Sequence, residues 1–267
     1  MLINGIESNH IDAKDRGLAY GDGLFSTIKV QSGVAQLWDF HLQRLQLGAK
    51  ALFFPEIDWQ QLSAEVHQQV ACFADVSEHV LKVILTRGSG GRGYSTQGCD
   101  SPLRIISDSA YPHFYSDWRH QGIDIILCES ILSKNKQLAG LKTLNRLEQV
   151  IIKNELEFKH AVEGIVCDEN GFVVEACSAN VFIYMNQQWL TPKLDNSGVK
   201  GVQRRNILRL AKQNNIEIVE SEIHQSQLIE AQSICLTNAL MGIVPVKKYQ
   251  QQTLRLEPCS VLQSIIK

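Results

Sequence analysis

The 267-residue sequence predicts a mixed α and β protein built in two parts. Three observations lead there. The length exceeds that of one ordinary domain and suits one large or two modest ones. Hydrophobic residues make up 44% of the chain and charged residues 20%, the balance of a soluble globular protein with an ample core. Strand-like and helix-like segments follow one another without the regular β-α-β rhythm of a doubly wound sheet.

Taken in order, GDGLFSTIKV runs into β-branched residues and reads as a strand, and SGV turns it towards a second near Ala35–Leu37. Asp39 can cap a helix to about Leu52, because Phe40, Leu42, Leu45 and Ala49 recur roughly at helical spacing. A second helix is expected over about Trp59–Phe73, and VLKVILTRG and PLRIISDSA are strands joined by a Gly-rich loop. The first part thus covers residues 1–110. YPHFYSDWRHQG, Pro-bearing and without clear period, makes 111–121 the expected linker, and the second part covers 122–267. There GIDIILCES is a strand, and Leu141, Leu144, Leu147 and Ile151 mark one face of a helix from about Ala139 to Phe158. AVEGIVCDENGFVVEACSANVFIYM reads as a hairpin turning at Asp168–Gly171, with a further strand after it. A helix over Val199–Asn214, the strand IEIVESEI, a short helix at Gln225–Ala231 and the strand SICLTNAL complete the pattern.

Composition narrows the function. A net charge of −2 argues against a general binder of nucleic acid or anionic membrane, which needs a basic surplus. The seven cysteines are scattered, without a C-x-x-C, and most stand in apolar stretches, which fits a reducing cytoplasm better than a disulfide framework. MLINGIESNHID lacks the basic and then apolar pattern of a secretory signal, and no apolar run approaches a membrane span. The eight histidines show no H-x-x-x-H or Cys/His ligand spacing, so no metal site is expected, and His41, His113 and His224 read as helix-surface or capping residues. Neither a G-x-S-x-G elbow nor a G-x-x-x-x-G-K-[ST] phosphate loop is present.

Several residues invite chemistry, each beside a plainer reading. Gly88–Gly93 matches G-x-G-x-x-G after a strand, but YSTQGCDSP follows and cannot open the helix that a dinucleotide site needs. A hairpin loop is expected instead, bearing Arg87, Arg92 and Tyr94 among glycines that let backbone approach a ligand; a solvated turn is the alternative. Lys142, in LAGLKTLNRLEQV, would lie near a helix start, where the dipole and Arg146 disfavour its charge and leave a nucleophilic amine. On spacing alone an ordinary surface lysine is the commoner case. Arg44 has the planar, permanently charged group that suits phosphate, or else snorkels at the surface. Glu175 ends an apolar strand and needs a partner, either a protonated pyridine nitrogen or a structural Arg or Lys. Gly201–Val202 and Thr237–Ala239 lie near a helix start and a strand end, whose amides can receive phosphate.

GDGLFST, HLQRL, LKTLNRLEQV, VVEACSANVFIY, GVKGVQRR and TNALMGIVPV, in that order, resemble the fold-type IV pyridoxal-phosphate enzymes over essentially the whole chain. The resemblance implies a two-domain α+β fold, a small N-terminal α/β domain and a larger C-terminal pseudo-barrel domain, in a homodimer. It implies that Lys142 is the Schiff-base lysine, Arg44 the phosphate-binding arginine and Glu175 the acid on the pyridine nitrogen. Val202 with Gln203, and Asn238 with Ala239, align with the phosphate-holding segments. RGSGGRGYS, LAGLKTLNRLEQV and NALMGIVPV look like the lyase branch of the family, and Thr27 resembles a threonine used there in proton handling. That branch implies cleavage of 4-amino-4-deoxychorismate to 4-aminobenzoate and pyruvate, with Arg87, Arg92 and Tyr94 as partners of the substrate carboxylates. An aminotransferase of D- or branched-chain amino acids is the rival within the family.

Overall fold

In the computed structural model, which describes residues 1–266, the chain divides into two compact units. The first holds Met1–Tyr111 together with Leu141–Asn145, and the second holds Pro112–Gly140 and the chain from Arg146 on.

The first unit contains β1 (Leu2–Ile3), β2 (Ile6–Glu7), α1 (Arg16–Tyr20), β3 (Gly23–Gln31), β4 (Val34–Ala35), α2 (Trp38–Ala51), α3 (Trp59–Ala71), β5 (Glu78–Thr86) and β6 (Leu103–Ala110). Its strands form a 6-stranded sheet in the order β2-β1-β6-β5-β3-β4, every pair antiparallel. Alternation along β3 puts Leu24, Ser26, Ile28 and Val30 in the interior and leaves Phe25, Thr27 and Lys29 half-buried. Leu24, Ile28 and Val30 share one core with Leu45 and Ala49 of α2 and Leu62, Val66 and Val70 of α3. Each buried Val, Leu or Ile contributes about 1.5–3 kcal/mol, enough to hold both helices on the sheet. Asp39 does not cap α2. Leu37, at φ 54, occupies the N-cap without a side-chain bond, and Asp39 stands in the first turn, where its charge suits the helix dipole.

The second unit contains α4 (Phe114–Gln121), β7 (Ile123–Ile131), α5 (Leu147–Phe158), β8 (Glu163–Cys167), β9 (Val173–Ala176), β10 (Asn180–Met185), β11 (Gln188–Pro192), α6 (Val202–Gln213), β12 (Ile218–Ser221), a 3₁₀ helix (Gln225–Glu230), β13 (Ser233–Asn238), β14 (Gly242–Tyr249), β15 (Gln252–Thr253) and α7 (Glu257–Ile265). They build a 9-stranded sheet, β12-β11-β10-β13-β14-β7-β8-β9 with β15 beside β14, curled as a half-barrel. Both faces of its centre are buried. Val181, Ile183, Ile234, Leu236, Val244 and Val246 enter one cluster, while Phe182, Cys235 and Ile243 meet Ile207 of α6 and Leu262 of α7 in another. This is why the segments read as nearly continuous apolar runs.

Two expectations change here. Residues 111–121 are not a linker: α4 occupies most of them, and Tyr115 and Trp118 pack against the core of the second unit. Three clustered aromatics, with Phe114 and Trp118 ring centroids 4.7 Å apart, outweigh the missing period. Likewise the helix expected from Ala139 begins only at Leu147. The Lys142 carbonyl instead accepts from Phe25 N–H at 3.0 Å and the Leu144 N–H donates to Gly23 O at 3.0 Å, so this stretch lies along β3. Of the supposed apolar face, Leu147 is 72% and Ile151 60% exposed; Ile152 and Leu156 are the residues α5 buries.

Candidate active site

Lys142 is held by that strand-like pairing, which packs Leu144 against Gly23: a Cβ at Gly23 would sit 2.5 Å from both Leu144 Cδ1 and Leu85 O. The Lys142 Nζ stands 4.4 Å from the Phe25 ring centroid, and Lys82 Nζ lies 5.4 Å from the same ring. Thr27 shares the half-buried face of β3 with Phe25 and pairs across the ladder with Lys82. Lysine amines and a threonine hydroxyl therefore serve one side of the strand. Sequence reasoning missed Lys82, although a lone lysine within VLKVILT was its signal.

On the other side of β3 the Ser26 hydroxyl accepts from Arg44 Nη2 at 2.6 Å and lies 2.7 Å from His41 Nδ1. His41 is fully buried, not a helix-surface residue, and burial pushes its pKa well below the ordinary value, reinforced by Arg44 and Lys142. It is a neutral imidazole at physiological pH. By contrast His224 does cap, accepting from Ser226 N–H at the start of the 3₁₀ helix.

The Gly-rich hairpin loop separates its basic residues. Arg87 is 4% exposed and donates to Asp22 Oδ2 at 2.7 Å, Phe53 O at 2.8 Å and Leu52 O at 2.6 Å. Burial and these three bonds commit Arg87 to the fold rather than to a substrate. Arg16, also buried, donates from Nε to the same Asp22 oxygen and from Nη1 to the carbonyls of Gly93 and Ser95, at 3.0 and 3.1 Å. It thereby straps the loop to α1. Arg92 and Tyr94, on either side of the strapped Gly93, are exposed. No helix follows the glycines, as their spacing alone would have suggested for a dinucleotide site.

In the second unit Glu175, at 5% exposure, accepts at Oε2 from Val199 N–H at 2.9 Å and from Asn180 Nδ2 at 3.5 Å. Asn180 also donates to Val199 O and accepts from Gly201 N–H, so one amide orders Glu175 and the start of α6. A Cβ at Gly201 would lie 2.1 Å from Asn180 Oδ1, so any larger residue there forces the Asn180 amide to move. Among the described residues no side chain caps α6, and helix geometry leaves the amides of Val202 and Gln203 without intrahelical acceptors. Asn238 shapes the turn that carries Ala239: its Oδ1 accepts from Leu240 and Met241 N–H, and its Nδ2 donates to Ser178 O. Ser178 in turn donates at 2.6 Å to the buried Glu163, whose carboxyl burial pushes up. Glu163 too escaped sequence reasoning; a carboxylate within the wholly buried β8 was its signal.

Among the described residues no cluster of His, Cys, Asp or Glu could hold a metal ion, no helix is long and apolar enough to cross a membrane, and all seven cysteines are free.

The family model for amino-transferase class IV matches residues 23–249. The chain is 32% identical to an aminodeoxychorismate lyase of Vibrio harveyi over 91% of its own length and 89% of that protein's. It is 28% identical to a putative branched-chain-amino-acid aminotransferase of Methanocaldococcus jannaschii, over 92% and 86% of the two lengths. The structure of 4-amino-4-deoxychorismate lyase from Pseudomonas aeruginosa matches with a TM-score of 0.93 at 33% identity, covering 98% of this chain and 96% of that one. This chain belongs to the class IV aminotransferase family.

Proposed function

We propose that the protein is a pyridoxal-phosphate-dependent lyase converting 4-amino-4-deoxychorismate into 4-aminobenzoate and pyruvate. The observation that carries this reading is the setting of Lys142, whose amine lies against Phe25 on the strand face that also bears Thr27. Likeness to lyases over nearly the whole chain supports it.

The donor chemistry fits the cofactor. Arg44, the amides of Val202 and Gln203, and the turn at Asn238 and Ala239 would hold its phosphate, Glu175 its protonated ring nitrogen, and Lys142 its aldehyde carbon. When bound, the cofactor supplies an electron sink for a carbanion at the carbon bearing the substrate amine. The Lys142 amine would take the proton from that carbon. Thr27, on the same face, helps return a proton to the enol as the enolpyruvyl ether bond breaks and the ring becomes aromatic. Glu175 stays oriented because Val199 and Asn180 hold its Oε2. Arg92 and Tyr94 offer donors to the two substrate carboxylates, with Lys82 as a further cation beside Phe25.

The reading is of a cytoplasmic homodimer. Free cysteines support the compartment, and the exposed apolar side chains Leu147, Val150 and Ile151 along α5 support a second copy as its occupant. A second reading, an aminotransferase of D- or branched-chain amino acids, draws on the aminotransferase relative.

Absorbance of the purified protein before and after borohydride, beside Lys142→Ala, tests the cofactor, and added aminodeoxychorismate tests the reaction. We expect a visible band that reduction abolishes and the variant lacks, with 4-aminobenzoate and pyruvate formed together. The band without those products favours the aminotransferase. A protein that takes up no pyridoxal phosphate overturns both readings.

A further inference from the structure

We infer that Ser26 and His41 are positioning residues for Arg44, a strand-to-helix bridge that presets its guanidinium for the cofactor phosphate. This rests on the reading of Arg44 as the phosphate residue. The bridge spans two elements: Ser26 comes from the core-facing side of β3, while His41 and Arg44 stand three positions apart on one face of α2. Ser26 and His41 are both at 0% exposure, so no water competes for them.

The direction of the bridge follows from valence. A guanidinium only donates, so the Ser26 oxygen accepts from Arg44 Nη2 at 2.6 Å. Its one proton must then find an acceptor, and among the described residues the other partner of Ser26 Oγ is His41 Nδ1 at 2.7 Å. Among the described residues the buried His41 Nε2 meets no partner. If His41 carried its proton on Nδ1, both the serine proton and the bare Nε2 would be stranded in the core. With the proton on Nε2, one group is stranded rather than two. The chain therefore runs from Arg44 to Ser26 to an unprotonated Nδ1. Burial, Arg44 and Lys142 hold the ring neutral and keep that nitrogen an acceptor. A flexible arginine pinned in this way needs less ordering when an anion arrives.

The test is titration of the apoprotein with pyridoxal phosphate, followed by fluorescence, for Ser26→Ala, His41→Phe, His41→Asn and Arg44→Ala. Ser26→Ala and His41→Phe are expected to weaken cofactor binding roughly tenfold, a loss larger than the loss in kcat at saturating cofactor. His41→Asn, which keeps an acceptor near Nδ1, should recover most of the affinity. The phosphorus resonance of the bound phosphate should shift or broaden in Ser26→Ala. Wild-type affinity in Ser26→Ala and His41→Phe, with Arg44→Ala impaired, overturns the inference; wild-type affinity in Arg44→Ala overturns instead the reading of Arg44. Should the core variants not fold, nitrogen NMR of His41 in the unaltered protein decides. A bare Nδ1 and protonated Nε2 are expected from about pH 6 to 8, and a protonated Nδ1 overturns the proposal.

Discussion

The two units present their candidate chemistry by different means. In the first, side chains do the work: Lys142, Thr27 and Arg44 project from a strand-like segment, a strand and a helix whose cores fix them. In the second, the candidates are chiefly backbone amides, at the start of α6 and in the Asn238 turn, with Glu175 the carboxylate ordered beside them. Side-chain chemistry is lost when one residue changes. Backbone chemistry tolerates changes of side chain but not of the space the backbone needs. The two regions should therefore answer mutation differently.

The largest effect is expected at Lys142. Lys142→Ala should lower the rate of 4-aminobenzoate release by about 10³-fold or more, since the proposed cofactor attachment and the proposed base are removed together. An activity within tenfold of wild type would remove side-chain chemistry from the first unit.

Next comes the split between two arginines of one loop. Arg87→Ala leaves Asp22 with one partner fewer and removes the donor to the Leu52 and Phe53 carbonyls, and should cost about 2–3 kcal/mol in chemical denaturation. Arg92→Ala should change stability by no more than about 0.5 kcal/mol while raising KM roughly tenfold. If Arg87→Ala melts like wild type and loses only substrate affinity, the separation made at the Arg16 strap is wrong.

In the second unit the sharper change is the smaller one chemically. Gly201→Ala places a methyl 2.1 Å from Asn180 Oδ1, and should cost roughly 1–3 kcal/mol, divided between stability and cofactor affinity. Gln203→Ala retains every amide, so cofactor affinity should stay within about twofold. Equal losses of affinity in the two variants would show that side chains, not backbone, hold the ligand there.

The smallest effect is a pH dependence in the first unit. His41 titrates well below 6.5 in the folded chain and near 6.5 when unfolded. Between those values the unfolded state binds the extra proton, so stability is full above about pH 6.5 and falls as pH drops through this window. His41→Asn should flatten the slope of denaturation midpoint against pH below about 6.5. An unchanged slope would mean that folding leaves the proton affinity of His41 unaltered.

Legibility followed how local each signal was. The strands around VLKVILTRG and SICLTNAL were readable because burial on one or both faces leaves a period-two or continuous apolar record. The helix wrongly extended back to Ala139 shows the opposite case. Leu141 and Leu144 fall at helical spacing with Leu147 and Ile151, but hydrogen bonds to Gly23 and Phe25, more than a hundred residues away, take that stretch into the first unit. For the same reason Arg44, Lys142 and Glu175 were given candidate roles only through resemblance of whole segments, whereas Ser26, Lys82 and Glu163 received none and His41 was read as a helix-surface or capping residue. Each of the latter matters through a partner on another element, and one chain read in order does not show partners.

By itself, then, the sequence determined the mixed α and β class, the balance of charge, the two-part organisation and the candidates among its ionisable residues, because composition and periodicity are local quantities. Only the tertiary structure decided that Lys142 lies beside β3 rather than in a helix, that Arg87 serves the fold while Arg92 stays exposed, and that His41 is buried and neutral. Those outcomes depend on which hydrogen-bond acceptors and which low-dielectric surroundings a side chain meets after folding, and distant segments supply both.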